Sequence, residues 1–206
     1  MTNETPAYVV SPPTGTGLPV LLLHTWWGLN QPIKDLADCL AGDGFTVLAP
    51  DLFDGTVLTT IEDADAHGQK MDSEYERILG LVGSALDDLL AHPDARGEHA
   101  AIVALSFGAW YARQVAEARP QVTALVSIYG DVFEGPEGVA YLGHFAEKDE
   151  FVNSEAELQT ATGRGEAHVY PGTQHWFMED DRPEYDAAAA DLVYTRTVQF
   201  LRQHLA

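Results

Sequence analysis

Hydrophobic positions along the chain follow two alternating patterns. Short continuous apolar runs are typical of strands covered on both faces, whereas apolar residues that recur every three or four positions are typical of helices that bury one face. The apolar runs predict strands over 8–11, 18–23, 45–49, 101–105, 122–129, 139–146 and 167–170. The helical pattern predicts helices beginning at Pro32, over 73–91, after Ser106 and over 183–205, and 55–71 shows no firm period.

This alternation predicts an α/β fold with a mostly parallel sheet, right-handed crossovers and helices on both faces of the sheet. The first run, 8–11, is predicted to be an edge strand. A chain of 206 residues that is 46% hydrophobic, without an internal repeat or an interior linker, predicts a single domain over 1–206. In such sheets the functional groups lie beyond the carboxyl ends of the strands, so candidate chemistry is sought in those loops.

Charge and composition narrow the choice of partners. The formal net charge of −21 would repel both nucleic acid and an anionic membrane surface. No apolar run approaches the ~20 residues needed to span a bilayer, and the first residues lack the basic and then apolar order of a signal peptide. The lone Cys39 cannot form an internal disulfide. We therefore expect a cytoplasmic protein, a monomer or small homo-oligomer, that binds neither nucleic acid nor membranes.

The sequence Ala-Leu-Ser-Phe-Gly at 104–108 joins a predicted buried strand to a predicted helix. A nucleophile elbow usually reads Gly-x-Ser-x-Gly, because small residues on both sides let the strand and the helix approach around a strained backbone. Alanine at the first position is the smallest replacement for that glycine. Ser106 is therefore a candidate nucleophile, and the alternative is that it only caps the helix that follows.

Two later loops carry candidate partners for this serine. Glu147, Asp149 and Glu150 follow one predicted strand, and His175 follows the next. The order serine, acid, histidine is the one expected of α/β-hydrolases. The other histidines show no spacing such as His-x-x-x-His, so we expect no metal site.

Five segments together resemble the dienelactone hydrolase family, and the likeness covers nearly the whole chain in order. They are His24 to Asn30, Ala49 to Phe53, the elbow at Ser106, 147–152 and 170–177. The resemblance implies an α/β-hydrolase fold. It also implies that Ser106 is the nucleophile, His175 the base and Asp149, rather than Glu147 or Glu150, the orienting acid. The backbone N–H groups of Trp26 and Phe107 would form the oxyanion hole.

The chain departs from the best-known family members at two positions that belong together. Those members have cysteine in place of Ser106 and glutamate in place of Thr25. In them the glutamate helps to form the attacking thiolate, whereas a serine hydroxyl is activated directly by histidine and needs no such carboxylate.

A further departure concerns the substrate. Family members that act on dicarboxylate-derived dienelactones hold the substrate carboxylate with arginines, and at one of those positions this chain has Glu179. Arg77 and Arg182 remain as weak substitutes. Together with the large negative charge of the chain, this loss favours an uncharged ester or lactone.

Aromatic residues are frequent in the loops at the predicted catalytic edge. Trp26, Trp27, Phe151 and Trp176 are candidates for the wall of an apolar acyl pocket, although each could instead pack in the core. Thr25 lies beside them, where it could hydrogen-bond the substrate or the serine. For Trp110 and Tyr111, one turn after the serine, core packing is favoured, and the run 179–181 is predicted to be a solvated turn.

The sequence thus predicts a serine hydrolase that cleaves a carboxylic ester or lactone through an acyl-enzyme, without a cofactor. The alternatives are a binding protein that has kept the fold but lost turnover, and an acyltransferase. Retention of Ser106, Asp149 and His175 favours an enzyme, because a receptor need not keep all three. The choice between water and another acyl acceptor depends on how well the site excludes water. The sequence does not decide whether 52–71 forms a lid over the site.

Overall fold

The computed structural model describes residues 6–130, 136–152 and 165–205. Its strands are β1 (Ala7–Val10), β2 (Leu18–Leu23), β3 (Phe45–Pro50), β4 (Ala100–Leu105), β5 (Val122–Ile128), β6 (Ala140–Lys148) and β7 (Glu166–Gln174). Its helices are α1 (Gln31–Gly42), α2 (Ile61–Met71), α3 (Tyr75–Ala91), α4 (Phe107–Ala118) and α5 (Ala187–Leu205). A single 3-10 turn, Asp72–Glu74, joins α2 to α3.

The strands form one sheet in the order β1-β3-β2-β4-β5-β6-β7. β1 pairs antiparallel with β3 at the edge, as predicted, and the other described neighbours pair in parallel. Parallel strands end at the same edge, so the loops that follow β2, β4, β6 and β7 meet there. This edge carries the candidate site.

Alternate residues of the strands feed two hydrophobic layers. In β2, Val20 and Leu22 join a core cluster with residues of α1 and α5, whereas Leu21 and Leu23 join a second cluster with residues of α3 and α4. The continuous apolar run of β2 is therefore explained by helices on both of its faces. Burial on both faces holds the central strands, and hence the loops at their ends, in fixed positions.

The structure corrects three predicted boundaries. Residues 61–71 form α2, although the sequence shows no helical period there. The period is missing because this helix buries only Ala64 and Met71 and so has no apolar stripe. The last helix begins at Ala187 rather than at 183, because the side chain of Asp186 accepts the N–H of Ala189 and caps the helix there. Strand β7 continues past Tyr170 to Gln174 and so brings the histidine loop directly off the sheet.

Candidate active site

Ser106 occupies a strained turn between β4 and α4. Its backbone has φ 47° and ψ −116°, a left-handed conformation that a serine adopts only when the surroundings enforce it. The Ser106 N–H donates to the carbonyl of Ile128 over 2.9 Å, which ties the turn to β5. A Cβ atom at Gly108 would lie 2.7 Å from the Cβ of Leu23, so this glycine is needed for the helix to approach β2. This geometry matches that of a nucleophile elbow.

The elbow serine begins a chain of hydrogen bonds. The Oγ of Ser106 lies 2.8 Å from Nε2 of His175, and Nδ1 of His175 lies 2.8 Å from Oδ2 of Asp149. The other carboxylate oxygen, Oδ1, accepts the N–H groups of Phe151 and Val152 at 2.9 and 3.0 Å. The side chains of His175 and Asp149 are only 5% and 1% exposed. A buried carboxylate held in this way can orient the ring and stabilise its protonated form.

The two rival carboxylates lie elsewhere. Glu147 is exposed, and its Oε2 accepts the N–H of Gly172 over 2.9 Å. Glu150 is also exposed. Of the three acids in this loop, only Asp149 is hydrogen-bonded to His175. The geometry therefore favours Asp149 as the orienting acid.

The loop after β2, residues 24–28, is held by its own hydrogen bonds. His24 donates from Nδ1 to the carbonyl of Thr25 and accepts the N–H of Leu52 at Nε2, over 2.6 and 3.2 Å. Burial lowers the pKa of His24 to about 4, so the ring is neutral at physiological pH. The Thr25 hydroxyl accepts the N–H of Trp27 over 3.3 Å. Since Gly108 packs against Leu23 and the His24 carbonyl, this loop begins beside the N-terminus of α4.

A cavity of about 520 Å³ opens at Ser106 and His175. The remaining described residues that line it are Tyr75, Phe107, Trp110, Tyr111, Tyr129, Gly130, Phe151 and Val152. Six of these eight are aromatic, and none of the described lining residues is lysine or arginine. The cavity therefore suits a flat apolar group next to the hydroxyl of the serine.

Two residues of this lining bear on the predicted aromatic pocket. Phe151 is 52% exposed, and its ring centroid lies 5.1 Å from that of His175, as a pocket wall requires. Trp110 is 44% exposed and lines the cavity, so the prediction that it packs in the core is wrong. Trp110 lies on α4 between Ala109 and Tyr111, whose side chains are buried. Because consecutive side chains of a helix point in different directions, Trp110 can be exposed between two buried neighbours.

The other predicted pocket residues are outside the described lining of the cavity. Trp26 stacks on Trp176 at a centroid distance of 5.6 Å, and Trp27 lies 5.1 Å from Trp176. Thr25 and Trp27 are fully buried, Trp176 nearly so, and none of these four residues is among those that line the cavity. Thr25, Trp27 and Trp176 therefore lie outside the described lining of this cavity, and their expected contacts with a substrate stay a prediction.

Glu179 was predicted to lie in a solvated turn, and this is wrong. Glu179 is only 1% exposed, although its neighbour Asp180 is exposed. Its carboxyl group accepts the hydroxyl of Tyr129 over 3.1 Å and that of Thr25 over 3.3 Å. Burial raises the pKa of Glu179 to about 8, and these two hydrogen bonds offset only part of the rise. The sequence offered one signal for this residue, its position one helical turn after His175.

The two candidate arginines lie away from the cavity. Arg77 pairs with Glu74 and Asp54 and lines a separate cavity beside α2. The guanidinium of Arg182 lies 3.9 Å from the ring centroid of Trp27. No residue of 52–71 lines the catalytic cavity, so in this structure that segment packs beside the elbow, through Phe53 and Phe107, rather than over it.

No three His, Cys, Asp or Glu side chains in 6–130, 136–152 and 165–205 converge in a way that could hold a metal ion. In the same ranges no helix has both the length and the apolar character to cross a membrane.

The sequence of this chain is similar to those of one known protein family. The sequence model of the dienelactone hydrolase family matches residues 5–205. A relative from Azospirillum brasilense named "Putative carboxymethylenebutenolidase" is 32% identical over 97% of this chain and 93% of its own length. Carboxymethylenebutenolidase 1 of Cupriavidus pinatubonensis is 25% identical over 95% and 90%.

A solved structure shows the same fold. The dienelactone hydrolase-like phosphotriesterase P91 from metagenomic libraries superposes with a TM-score of 0.80 at 20% identity, over 97% of this chain and 92% of that one. With the parallel sheet described above, this confirms the predicted α/β-hydrolase fold.

Proposed function

The chain belongs to the dienelactone hydrolase family of ester and lactone hydrolases, and we propose that it cleaves an uncharged ester or lactone through an acyl-enzyme on Ser106. One observation carries the proposal. The hydrogen-bond chain from Ser106 through His175 to Asp149 is complete, and its serine end opens into a cavity. The strain at Ser106 supports turnover over simple binding, because a receptor has no use for a strained nucleophile.

The first half of the reaction forms the acyl-enzyme. Nε2 of His175 removes the proton of Ser106 as Oγ attacks the carbonyl carbon, and Asp149 stabilises the imidazolium that results. The N–H groups of Trp26 and Phe107 hold the oxyanion in this proposal. His175 then gives its proton to the leaving oxygen as the C–O bond breaks. An ester releases its alcohol at this step, whereas a lactone opens and stays attached by its acyl end.

The second half regenerates the serine. His175, now neutral, takes a proton from water, and the hydroxide attacks the acyl carbon. The second tetrahedral oxyanion occupies the same hole as the first. Its collapse breaks the bond to Oγ, and the imidazolium returns its proton to Ser106. The carboxylic acid leaves and releases its remaining proton to solvent.

The lining of the cavity supports an uncharged substrate. Phe107, Trp110 and Phe151 contribute aromatic rings to the lining, and no described lining residue carries a fixed positive charge that could hold a carboxylate. The net charge of −21 adds a general repulsion for anionic substrates and for anionic partners such as nucleic acid and membranes. A cytoplasmic monomer or small homo-oligomer remains part of the same proposal.

A fluorophosphonate probe tests this function. The probe phosphonylates an activated serine and thereby adds a known mass. We expect one label per chain, on the peptide that contains Ser106, and no label on the Ser106→Ala variant. An unlabelled folded protein, or a label on another serine, would contradict the proposal and favour a binding protein.

A further inference from the structure

A buried carboxyl group connects two parts of the candidate site. Glu179 follows His175 and Trp176 by one turn, and its N–H donates to the carbonyl of Trp176 over 2.9 Å. Its side chain turns inward to Thr25 on one side and Tyr129 on the other. These partners are 154 and 50 positions away along the chain. The mechanism above uses none of these three side chains directly.

The contact with Thr25 bears on the oxyanion loop. The Thr25 hydroxyl donates to Oε2 of Glu179 and accepts the N–H of Trp27. Trp26, whose N–H is proposed to hold the oxyanion, lies between Thr25 and Trp27 in the chain. An error of about 1 Å in the position of such a donor is enough to lower the rate markedly. The bond to Glu179 therefore holds a part of the loop where position matters.

The contact with Tyr129 bears on the catalytic histidine. Tyr129 is fully buried at the end of β5, with a left-handed φ of 37°, and its ring centroid lies 5.0 Å from that of His175. Its N–H donates to the carbonyl of His144 over 2.7 Å, and its hydroxyl donates to Oε1 of Glu179. The ring is thus fixed at both ends and forms the cavity wall beside His175.

We propose that Glu179 is a positioning residue that joins the loop carrying the Trp26 N–H to the Tyr129 wall beside His175. This inference rests on the proposed function, since it assigns a role within the same site. A glutamine could keep both contacts, because its carbonyl oxygen accepts one hydroxyl and its NH2 group can donate to the oxygen of the other. An alanine could make neither.

The charge of Glu179 gives this role a pH dependence. The group is neutral at neutral pH, since burial raises its pKa to about 8. Above that pH a negative charge forms against Thr25, one residue from the Trp26 N–H, where it opposes the negative oxyanion of the transition state. The ionisable groups around Glu179 are Tyr129, Asp180, Asp181 and Arg182, and Asp149 acts on Tyr129. Across a cavity of about 200 Å³ toward α1 and α5 lie Asp35, Cys39, Tyr185, Asp191 and Tyr194.

The test compares kcat and KM from pH 6 to 9.5 on p-nitrophenyl acetate. In the wild type we expect kcat to fall above about pH 8 as Glu179 ionises. Glu179→Gln should keep kcat at pH 7 within about threefold and lose the alkaline fall. Glu179→Ala should lose about tenfold in kcat at pH 7 with little change in KM, because it frees the loop without touching the substrate. Asp180→Asn, the exposed neighbour, is the matched control and should follow the wild type.

Two results would overturn the inference. One is an alkaline fall in Glu179→Gln equal to that of the wild type, and the other is a Glu179→Ala variant with wild-type kcat. If Glu179→Ala does not fold by circular dichroism, the profile of Glu179→Gln decides alone. Failure of the proposed function is distinguishable, because an active Ser106→Ala variant would refute the nucleophile whatever Glu179 does.

Discussion

The Nε2 atom of His175 lies 2.8 Å from the Oγ atom of Ser106, although the two residues are 69 positions apart in the chain. Ser106 follows the central strand β4, and His175 follows β7 at the edge of the sheet. The acid that completes the chain, Asp149, follows β6, which lies between them in the sheet. The parallel sheet therefore brings the three side chains together by ending their strands at one edge.

Replacement of the serine tests its role as nucleophile. Ser106→Ala should lower kcat on a p-nitrophenyl ester by ~10⁴ to 10⁶, as loss of a triad member typically does. The fold should be kept, because alanine removes only a partly buried hydroxyl. Steady-state kinetics and circular dichroism check both statements. More than about a tenth of wild-type turnover would exclude this serine as nucleophile.

The acid is tested by three amide substitutions in one loop. Asp149→Asn should lower kcat by about 10⁴, because an amide at this place favours the wrong tautomer of His175. Glu147→Gln and Glu150→Gln are the matched controls and should stay near wild type, since neither carboxylate bonds the histidine. A larger loss in either control than in Asp149→Asn would assign the acid elsewhere.

The aromatic walls of the cavity predict substrate preference. Trp110→Ala and Phe151→Ala should raise KM for an aryl ester such as phenyl benzoate by about 5- to 20-fold, because a ring contact contributes about 1 to 2 kcal/mol. Hydrolysis of p-nitrophenyl acetate, with its small acyl group, should be affected less. Leu192→Ala, which removes an equally exposed apolar side chain on α5, is the control. Equal losses on both substrates would contradict a wall that selects the acyl group.

Burial of Glu179 should make stability depend on pH. The pKa rises from 4.5 to about 8 on folding, so the stabilisation from its bound proton is complete below about pH 4.5 and is lost as pH rises to about 8. Glu179→Gln keeps the hydrogen-bonding shape without a charge to desolvate. Its Tm, relative to that of the wild type, should therefore be higher at pH 8 than at pH 5, by several degrees. Thermal scans at the two pH values measure this, and a pH-independent difference would argue against a buried neutral acid.

Much of the fold and three of the site residues could be predicted from the sequence. Apolar runs and helical spacing report burial directly, and the order of Ser106, Asp149 and His175 along alternating elements predicts that they meet at one sheet edge. The buried role of Glu179 could not be predicted in this way. It lies in an acidic run that resembles a solvated turn, and it is buried only because Thr25 and Tyr129 reach it from distant parts of the chain.

The other features that the sequence did not predict have similar causes. Helix α2 lacks an apolar stripe, and its start is favoured instead by the Thr60 hydroxyl, which accepts the N–H of Asp63. Trp110 is apolar and lies on a helix, which predicts burial, but the cavity leaves its face of α4 uncovered. The local spacing of apolar residues does not reveal where a cavity forms or which distant polar residue will become a partner.

In the proposed mechanism the reaction passes through an acyl-enzyme on Ser106. Mixing the protein with excess p-nitrophenyl butyrate, quenching in acid within milliseconds and mapping peptides by mass would detect that intermediate directly. We expect a butyryl group on the peptide containing Ser106, formed with a burst of p-nitrophenol and absent from Ser106→Ala. Turnover with no acylated peptide at any quench time, or with the acyl group on another residue, would contradict the acyl-enzyme on Ser106.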